Sequence, residues 1–355
     1  MTRVSAPALS MRRVEHLLGR ERASLRSLAG EVNRHYAPFH RRRQRGTGNW
    51  RHVDNPDADL KDLQREIGRR ILSPVPLPPR MLGISHGSTR DHAGVHVGKS
   101  VVVILDLREC FFSTKDRRVF QIFTDRVGCA PAVAALLTRL VTVNCALPEG
   151  APTSPKLAAL ALVPLYEELE ELAREMELDF SMYVDDIALS GRRAELAIGR
   201  ALQVLHRHGY RARACKIRVM RANASQRVTG LPVNQKLSVD RDRLRAIRQC
   251  IAEVGTDSDI PDRVIRSIRG QIEYVRSVSP AQARALDHLA DRFLPAVGIG
   301  GPRQHTDEVQ PCRCLRGRRL GPATVMQGAG SRGLSGRGDA PYGRWSRDER
   351  SGADT

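Results

Sequence analysis

The sequence lacks any apolar run long enough to span a bilayer, and it has no apolar N-terminal segment of the kind that directs secretion. Its seven cysteines are odd in number and scattered, and no second cysteine pair or histidine ladder completes a zinc pattern with Cys312 and Cys314. These absences argue against a membrane-spanning protein, a disulfide-stapled secreted domain and a zinc protein. We expect reduced thiols and a cytoplasmic location, with no membrane partner.

Acidic residues are too few to balance the basic ones. The 355 residues include 58 Lys and Arg against 39 Asp and Glu, a formal net charge of +19. Such a surplus attracts polyanions, and on charge alone both nucleic acid and an acidic membrane surface are possible binding partners. Arginine dominates, and its planar fork suits phosphate, which favours nucleic acid. A hydrophobic fraction of 41% is enough for a core, and the length predicts two or three packed lobes.

Hydrophobic periodicity predicts a mixed α+β chain. Predicted helices cover one or two segments within 1–35, then 60–72, 117–145 with a loop near Gly128 and Pro131, 157–176, 194–208, 244–254, 264–277 and 281–293. Predicted strands cover 101–105, a hairpin formed by 180–184 and 187–190, and short strands at 227–233 and 236–239 around a turn at Asn234–Gln235. The basic stretch 40–48 indicates a mobile loop, and the Gly/Arg-rich segment 297–355 indicates disorder.

The sharpest local signal is the acidic pair Asp185-Asp186, flanked on both sides by apolar residues. A solvated turn is the ordinary explanation of two such aspartates. Two carboxylates between apolar strands are costly, however, unless a cation neutralises them. Asp106 ends another apolar run and is a natural third member. Two Mg²⁺ ions among these carboxylates would clamp the attacking and leaving oxygens of a phosphoryl transfer.

Five motifs stand in one order along the chain: LDLRECFFST at 105–114, LPEGAPTSPKLAAL at 147–160, YVDDIALSG at 183–191, ARACKIRVM at 212–220 and VTGLPVN at 228–234. Together they resemble the reverse transcriptase family over about residues 10–295. The resemblance implies a metal set of Asp106, Leu107, Asp185 and Asp186, with two Mg²⁺ ions. It also implies that Lys216 lies near the leaving pyrophosphate as a candidate general acid, although a plain basic surface residue would look the same.

Within that family the sequence resembles the retron subgroup. The subgroup's VTG element stands here as Val228-Thr229-Gly230, and its NAxxH element as residues 92–96, with His92 in place of asparagine and His96 retained. The resemblance implies that these residues contact RNA or primer. It also implies a structured noncoding RNA template, priming from a 2′-hydroxyl, a DNA–RNA product, and antiphage defence with a separate effector protein. The two histidines have a metal-like spacing, but the absence of a third ligand argues against zinc.

The same resemblance predicts a nucleotide pocket made of Arg45, Arg51, Phe111, Glu149 and Gly150. The arginines would contact the triphosphate of a deoxynucleoside triphosphate, with a solvated basic loop as the alternative. Phe111 would exclude a 2′-hydroxyl, with core packing as the alternative. Glu149 departs from the family's usual glutamine, and an ionised carboxylate can only accept hydrogen bonds.

The expected fold is therefore a right-hand polymerase with basic fingers, a palm of antiparallel sheet plus helices, and a small helical thumb. Its expected divisions are N-terminal helices at 1–40, fingers and palm at 41–240, thumb at 241–296 and the tail at 297–355. The tail either binds RNA electrostatically or takes no part. Two alternatives remain for the function: a solitary non-retron reverse transcriptase, and a catalytically weak RNA-binding scaffold. Retention of all three carboxylates argues against the scaffold.

Overall fold

The helices and strands are those of residues 8–42, 50–254 and 261–294, the parts of the chain that the computed structural model describes; the side chains of 38–42 and 50–52 are not among them. The helices are α1 Met11–Leu18, α2 Arg22–Gly30, α3 Ala58–Ile67, α4 Thr89–Gly94, α5 Cys110–Ser113, α6 Asp116–Gln121, α7 Pro131–Val141, α8 Ser154–Glu175, α9 Ile198–Arg207, α10 Arg241–Val254, α11 Asp262–Val278 and α12 Pro280–Phe293. The strands are β1 Tyr36–Arg42, β2 Trp50–Pro56, β3 Met81–Leu82, β4 Val101–Asp106, β5 Asp179–Tyr183, β6 Asp186–Gly191, β7 Arg218–Arg221, β8 Arg227–Val228 and β9 Leu231–Pro232.

The helix ends follow ordinary capping chemistry. Ser10 caps α1 by accepting a hydrogen bond from the amide of Arg13, and Gly19 ends that helix in the left-handed conformation. Asp57 caps α3 in the same way through the amide of Leu60. Pro131 begins α7 at a position where the missing N–H has no partner to lose. The helices predicted from periodicity are confirmed, except that the N-terminal pair ends at Gly30 and that residues 142–145 form a bridge and a turn after the end of α7.

Among the described helices, none combines the length and the apolar character that crossing a membrane requires.

A five-stranded sheet in the order β3-β5-β6-β4-β7 is the centre of the fold. Only the short β3 is parallel to its neighbour, and the other pairs are antiparallel. Every residue of β4 is buried, as expected for a continuous apolar run in a central strand. The predicted hairpin is confirmed as β5 and β6.

The two faces of this sheet pack against different parts of the protein. Strand alternation places Leu105, Ile187 and Leu189 on one face, in the large apolar cluster that includes α7 and α8. Ile104 and Ala188 lie on the other face, in a second cluster that includes α10, α11 and α12. Burial of each large aliphatic side chain contributes about 1.5–3 kcal/mol, so the sheet is held from both sides.

A second sheet is formed by β1 and β2 alone, paired antiparallel from Tyr36↔Pro56 to Arg42↔Trp50. Its base is fixed by the buried Gln64 of α3, whose amide nitrogen donates to the Tyr36 hydroxyl at 2.8 Å and to the Leu140 carbonyl at 2.9 Å. Residues 40–42 therefore belong to a strand, so the prediction of a loop was wrong there. Residues 43–49 lie outside the described residues, as does the predicted tail at 297–355.

The three C-terminal helices share one apolar cluster, which includes Ile247, Ile268 and Leu286. Gln282 of α12 fixes the segment before α10, because its side chain accepts from the Val239 amide at 2.8 Å and donates to the Val239 carbonyl at 3.1 Å. Helices α10, α11 and α12 confirm the three helices predicted for this part of the chain.

The small hairpin before these helices corrects one prediction. Its strands are β8 and β9, and its turn lies at Thr229–Gly230, where both residues have positive φ. Such a turn favours glycine at its second position. Asn234 does not form the expected turn; its side chain accepts from the Gln226 amide and donates to the Ala224 carbonyl. Residues 236–239 form no strand.

Candidate active site

Asp106 and Asp186 are direct partners across the antiparallel strands β4 and β6. The chain reaches Asp185 through Val184, which has a left-handed backbone with φ 56°. A β-branched residue in that region costs on the order of 1–3 kcal/mol and persists only where its surroundings hold it. Here the Leu82 carbonyl accepts from the Val184 amide at 3.2 Å, and the Asp185 carbonyl accepts from the Leu107 amide at 3.0 Å.

Two basic residues compensate the buried Asp106. The Lys216 ammonium donates to Asp106 Oδ2 at 2.5 Å, and Arg213 Nε lies 3.5 Å from Asp106 Oδ1. The Arg213 amide also donates to the Asp106 carbonyl at 2.8 Å, which ties the segment before β7 to the end of β4. The Asp106 side chain is 9% exposed and that of Lys216 is 47% exposed, so the ammonium reaches solvent while its partner does not.

Asp186 is a carboxyl whose charge is only partly compensated. Burial, reinforced by the negative charges of Asp185 and Asp106, raises its pKa from 3.8 to about 6. Lys216 and Arg218 act in the opposite direction without cancelling these effects. Like charges opposite each other on neighbouring strands are destabilising, so this end of the hairpin would gain from a bound cation.

The donor atoms suit a divalent cation. Asp106 Oδ1 is buried and accepts no hydrogen bond, although Arg213 lies within ion-pair distance. Carboxylate oxygens are the ligands that Mg²⁺ takes in proteins. Leu107 has a buried side chain and can offer only its backbone carbonyl. As the side chains stand, no three acidic, histidine or cysteine residues within the described ranges form a ready metal cluster.

Phe111 lies on α5, five residues after Asp106. It is half-buried and packs against the large apolar cluster, whereas its neighbour Phe112 is 59% exposed. The structure therefore gives Phe111 a packing role and leaves part of the ring accessible.

Glu149 and Gly150 are held against β2. The Asp54 amide donates to the Glu149 carbonyl at 2.7 Å. Gly150 has φ +122°, and a Cβ there would lie 2.8 Å from the Asp54 carbonyl oxygen, so no other residue fits without displacement. This contact brings residues 149–150 beside the strand that carries Arg51. The Arg51 side chain and the whole of Arg45 lie outside the described residues.

Negative charge at this site extends beyond the three aspartates. The Cys110 thiol has its pKa raised to about 12, mainly by burial and further by the charges of Asp185 and Glu149. The Glu149 carboxylate therefore acts on the same surroundings as the acidic hairpin.

His92 and His96 differ from their expected placement. Both side chains are fully buried, so neither presents a surface to RNA in this structure. Their rings contact Ser181 and Ser190 of the β5–β6 hairpin instead. A direct RNA contact by either histidine therefore stays a prediction, and in this structure neither ring has exposed surface through which to make it. Val228 is buried as well, which leaves half-buried Thr229 and exposed Gly230 as the accessible residues of that element.

Sequence reasoning missed three residues: Arg213, Ser181 and Ser190. Arg213 stands in a run of basic residues, and nothing local distinguishes it from its neighbours. Strand alternation could have identified the serines, because Ser181 and Ser190 occupy the same face of the hairpin as Asp186.

Comparison with known proteins defines the class of protein. Residues 41–234, more than half of the chain, match the family described as reverse transcriptase (RNA-dependent DNA polymerase). The chain therefore belongs to the reverse transcriptase family and is an RNA-directed DNA polymerase. Members of this family use divalent metal ions, which agrees with the donor atoms around Asp106.

Within the family the similarity is to retron reverse transcriptases. The chain is 30% identical over 297 residues to the Retron Mx65 reverse transcriptase of Myxococcus xanthus, a match covering 74% of this chain and 68% of the relative. It is 27% identical over 243 residues to the Retron Ec86 reverse transcriptase of Escherichia coli, covering 66% of this chain and 74% of the relative. The resemblance to retron reverse transcriptases is thereby confirmed.

Proposed function

We propose that this reverse transcriptase extends a primer with deoxynucleotides through two Mg²⁺ ions held by Asp106, Asp185 and Asp186, with the Leu107 carbonyl as a further ligand. The observation that carries this proposal is the direct pairing of Asp106 with Asp186 across β4 and β6. Two carboxylates forced together, one with its pKa raised to about 6, destabilise the protein unless cations occupy the site. Bound Mg²⁺ would stabilise the charge that develops on the attacking and leaving oxygens.

The basic residues around Asp106 have two roles in this proposal. Lys216 would release Asp106 when metal binds, and its half-exposed ammonium would then donate a proton toward the leaving pyrophosphate. Arg213 and Arg218 would remain as fixed positive charges beside the triphosphate. The ion pairs of Asp106 and the electrostatic effect of Arg218 on Asp186 support these two roles.

The overall arrangement supports a right-hand polymerase. In this proposal the five-stranded sheet is the palm, the basic β1–β2 hairpin belongs to the fingers, and helices α10, α11 and α12 form the thumb. Glu149 and Gly150, held against β2, would form the nucleotide pocket with Arg45, Arg51 and Phe111. The half-buried Phe111 ring would lie under the sugar and exclude ribonucleotides.

We further propose a dedicated template, a structured noncoding RNA that is primed from one of its own 2′-hydroxyls and ends as a DNA–RNA product. The proposal also includes antiphage defence with an effector protein in the cytoplasm. Its support is the similarity to reverse transcriptases named for retrons, together with the VTG hairpin tip at Thr229–Gly230. The net charge of +19 supplies affinity for any RNA, so selectivity must come from shape and base contacts.

Replacement of Asp185 or Asp106 by alanine tests the proposed chemistry. Extension of a primed RNA template should be lost, while RNA affinity at near-physiological salt stays within about two-fold, because affinity comes from Lys and Arg contacts with phosphate. Asp179→Ala is the matched control, since Asp179 lies at the far end of the same hairpin and pairs with Lys99. Parental extension by Asp185→Ala would refute the metal assignment.

A further inference from the structure

A chain of four buried polar side chains lies behind the acidic hairpin. Ser190 Oγ is 2.7 Å from His96 Nδ1, and His96 Nε2 is 2.8 Å from Ser181 Oγ. Ser181 Oγ is in turn 2.7 Å from His92 Nδ1. None of the four side chains has exposed surface. The arrangement is therefore sealed from solvent and from any bound nucleic acid.

The two serines belong to the two strands that carry the acidic turn. Ser181 lies on β5 opposite Ala188, and Ser190 lies on β6 opposite Asp179. They are diagonal neighbours on one face, and this is also the face of Asp186. The His96 ring spans both strands, so it fixes their separation and twist within a few residues of the turn.

His96 makes hydrogen bonds to both serines, which an apolar side chain could not make. A neutral imidazole has one donor and one acceptor, so His96 donates to one serine and accepts from the other. Burial lowers the pKa of His92 to about 4 and that of His96 to about 3, so both rings are neutral near pH 7. Removal of the His96 ring would leave two buried hydroxyls without one of their partners.

Helix α4, which carries His92, is itself anchored. Ser88 and Asp91 form a reciprocal capping box that begins α4, the helix that carries His92. The Thr229 hydroxyl donates to the Thr89 carbonyl at 3.2 Å, which joins the same helix to the β8–β9 turn. The His92 ring also lies against Tyr183, with 5.8 Å between the ring centroids. A local cap and two tertiary contacts thus hold α4 in place.

We propose that His96, assisted by His92, is a positioning residue for polymerisation: it holds β5 and β6 in the geometry that presents Asp185 and Asp186. This inference rests on the proposed role of those two aspartates. It replaces RNA recognition as the role of the His92–His96 element, because the rings touch the hairpin and cannot reach an RNA. Residues that orient metal ligands from behind commonly change activity without touching the substrate.

The first test is steady-state kinetics of His96→Ala. We expect kcat to fall about 10–100-fold, the usual effect of removing a group that orients metal ligands. The KM for deoxynucleotides and the Kd for RNA at near-physiological salt should stay within about two-fold of the parent. His96→Gln keeps one donor and one acceptor and should recover part of the lost kcat.

A double-mutant cycle then tests the hydrogen bonds themselves. His96→Ala should reduce kcat less in a Ser181→Ala, Ser190→Ala background than in the parent, because the bonds it breaks are already absent. Additive effects would show that the ring acts independently of the serines and would overturn the proposal.

A stability control separates positioning from general loss of folding. Ile247 is buried in α10, a helix whose main neighbours are α11 and α12, and either Ile247→Val or Ile247→Ala can be chosen to match the fall in Tm of His96→Ala. The matched variant should keep its kcat. An equal loss of kcat in this control, or a loss of RNA affinity by His96→Ala at unchanged kcat, would contradict the inference. Asp185→Ala, assayed in parallel, is active only if the proposed function itself fails.

Discussion

Asp106 and Asp186 face each other across β4 and β6, and Lys216 bonds only the first of them directly. The protein therefore keeps one compensated carboxylate and one poorly compensated carboxylate at the same end of a buried sheet. Such an arrangement costs stability in the absence of a cation, because like charges opposite each other repel. In the proposed mechanism this arrangement is useful, since the same unbalanced charge would attract the divalent metal ions.

The raised pKa of Asp186 predicts a pH-dependent stability in the presence of a chelator. A folded-state pKa of about 6, above the ordinary 3.8, means that the folded protein binds the proton more tightly than the unfolded chain does. This stabilisation is present at low pH and is lost as the pH rises from about 4 to about 6. The loss is on the order of 2–3 kcal/mol, which corresponds to several degrees in Tm.

Asp186→Asn removes this titration. Thermal unfolding in chelator would measure the Tm of the variant minus that of the parent at each pH. This difference should increase by several degrees from pH 4 to pH 8. Added Mg²⁺ should raise the Tm of the parent more than that of the variant. A Tm difference between variant and parent that does not change with pH would show that the charge of Asp186 does not destabilise the folded protein.

Phe111→Ala should allow incorporation of ribonucleotides if the ring lies beneath the sugar. Extension with ribonucleotides alone should then give longer products than the parent makes. Because Phe111 is only half-buried, the variant should lose less free energy of unfolding than a fully buried Phe→Ala change, which costs about 3–5 kcal/mol. Phe112→Ala removes an exposed neighbouring ring and is the matched control. If Phe111→Ala loses stability but does not incorporate ribonucleotides, the role of the ring is core packing.

Glu149→Gln should give equal or higher polymerase activity. Glu149 adds negative charge where Asp185 already acts on the Cys110 thiol, and a triphosphate brings more. The change keeps the backbone bond from the Asp54 amide, so the loop should stay in place. The KM for deoxynucleotides is the quantity to follow, and it should fall or stay constant. A large loss of kcat would reveal a specific role for the carboxylate.

The protein should select one structured RNA beyond its general affinity for polyanions. Competition at near-physiological salt between copurified RNA and an unrelated structured RNA of equal length would measure this, because phosphate contacts weaken steeply with salt. Thr229→Ala, at the hairpin tip, should lower the selectivity. Arg13→Gln, on the exposed face of α1, should weaken the binding of both RNAs to the same extent. Equal competition by the two RNAs would favour a general reverse transcriptase.

Local patterns were enough to predict much of the fold. The helices and the β5–β6 hairpin follow from periodicities of 3.6 and 2, which depend on neighbouring residues alone. The strand before Asp106 could be predicted for the same reason, as an apolar run of strand length. The β8–β9 turn was misplaced because two candidate turns, Thr229–Gly230 and Asn234–Gln235, stand close together. The Asn234 side chain bonds to backbone groups eight and ten residues earlier in the chain, which leaves Thr229–Gly230 as the turn between the paired strands.

The sequence by itself determined the order of the motifs, the identity of the three aspartates and the class of enzyme. Tertiary structure alone decided which groups meet: Lys216 with Asp106 across 110 residues, and His96 with Ser181 and Ser190 across about 90. Strand order and register fix such contacts, and no local pattern encodes them. For this reason His92 and His96 could be recognised as an element from the sequence, while their burial behind the hairpin became visible only in the folded chain.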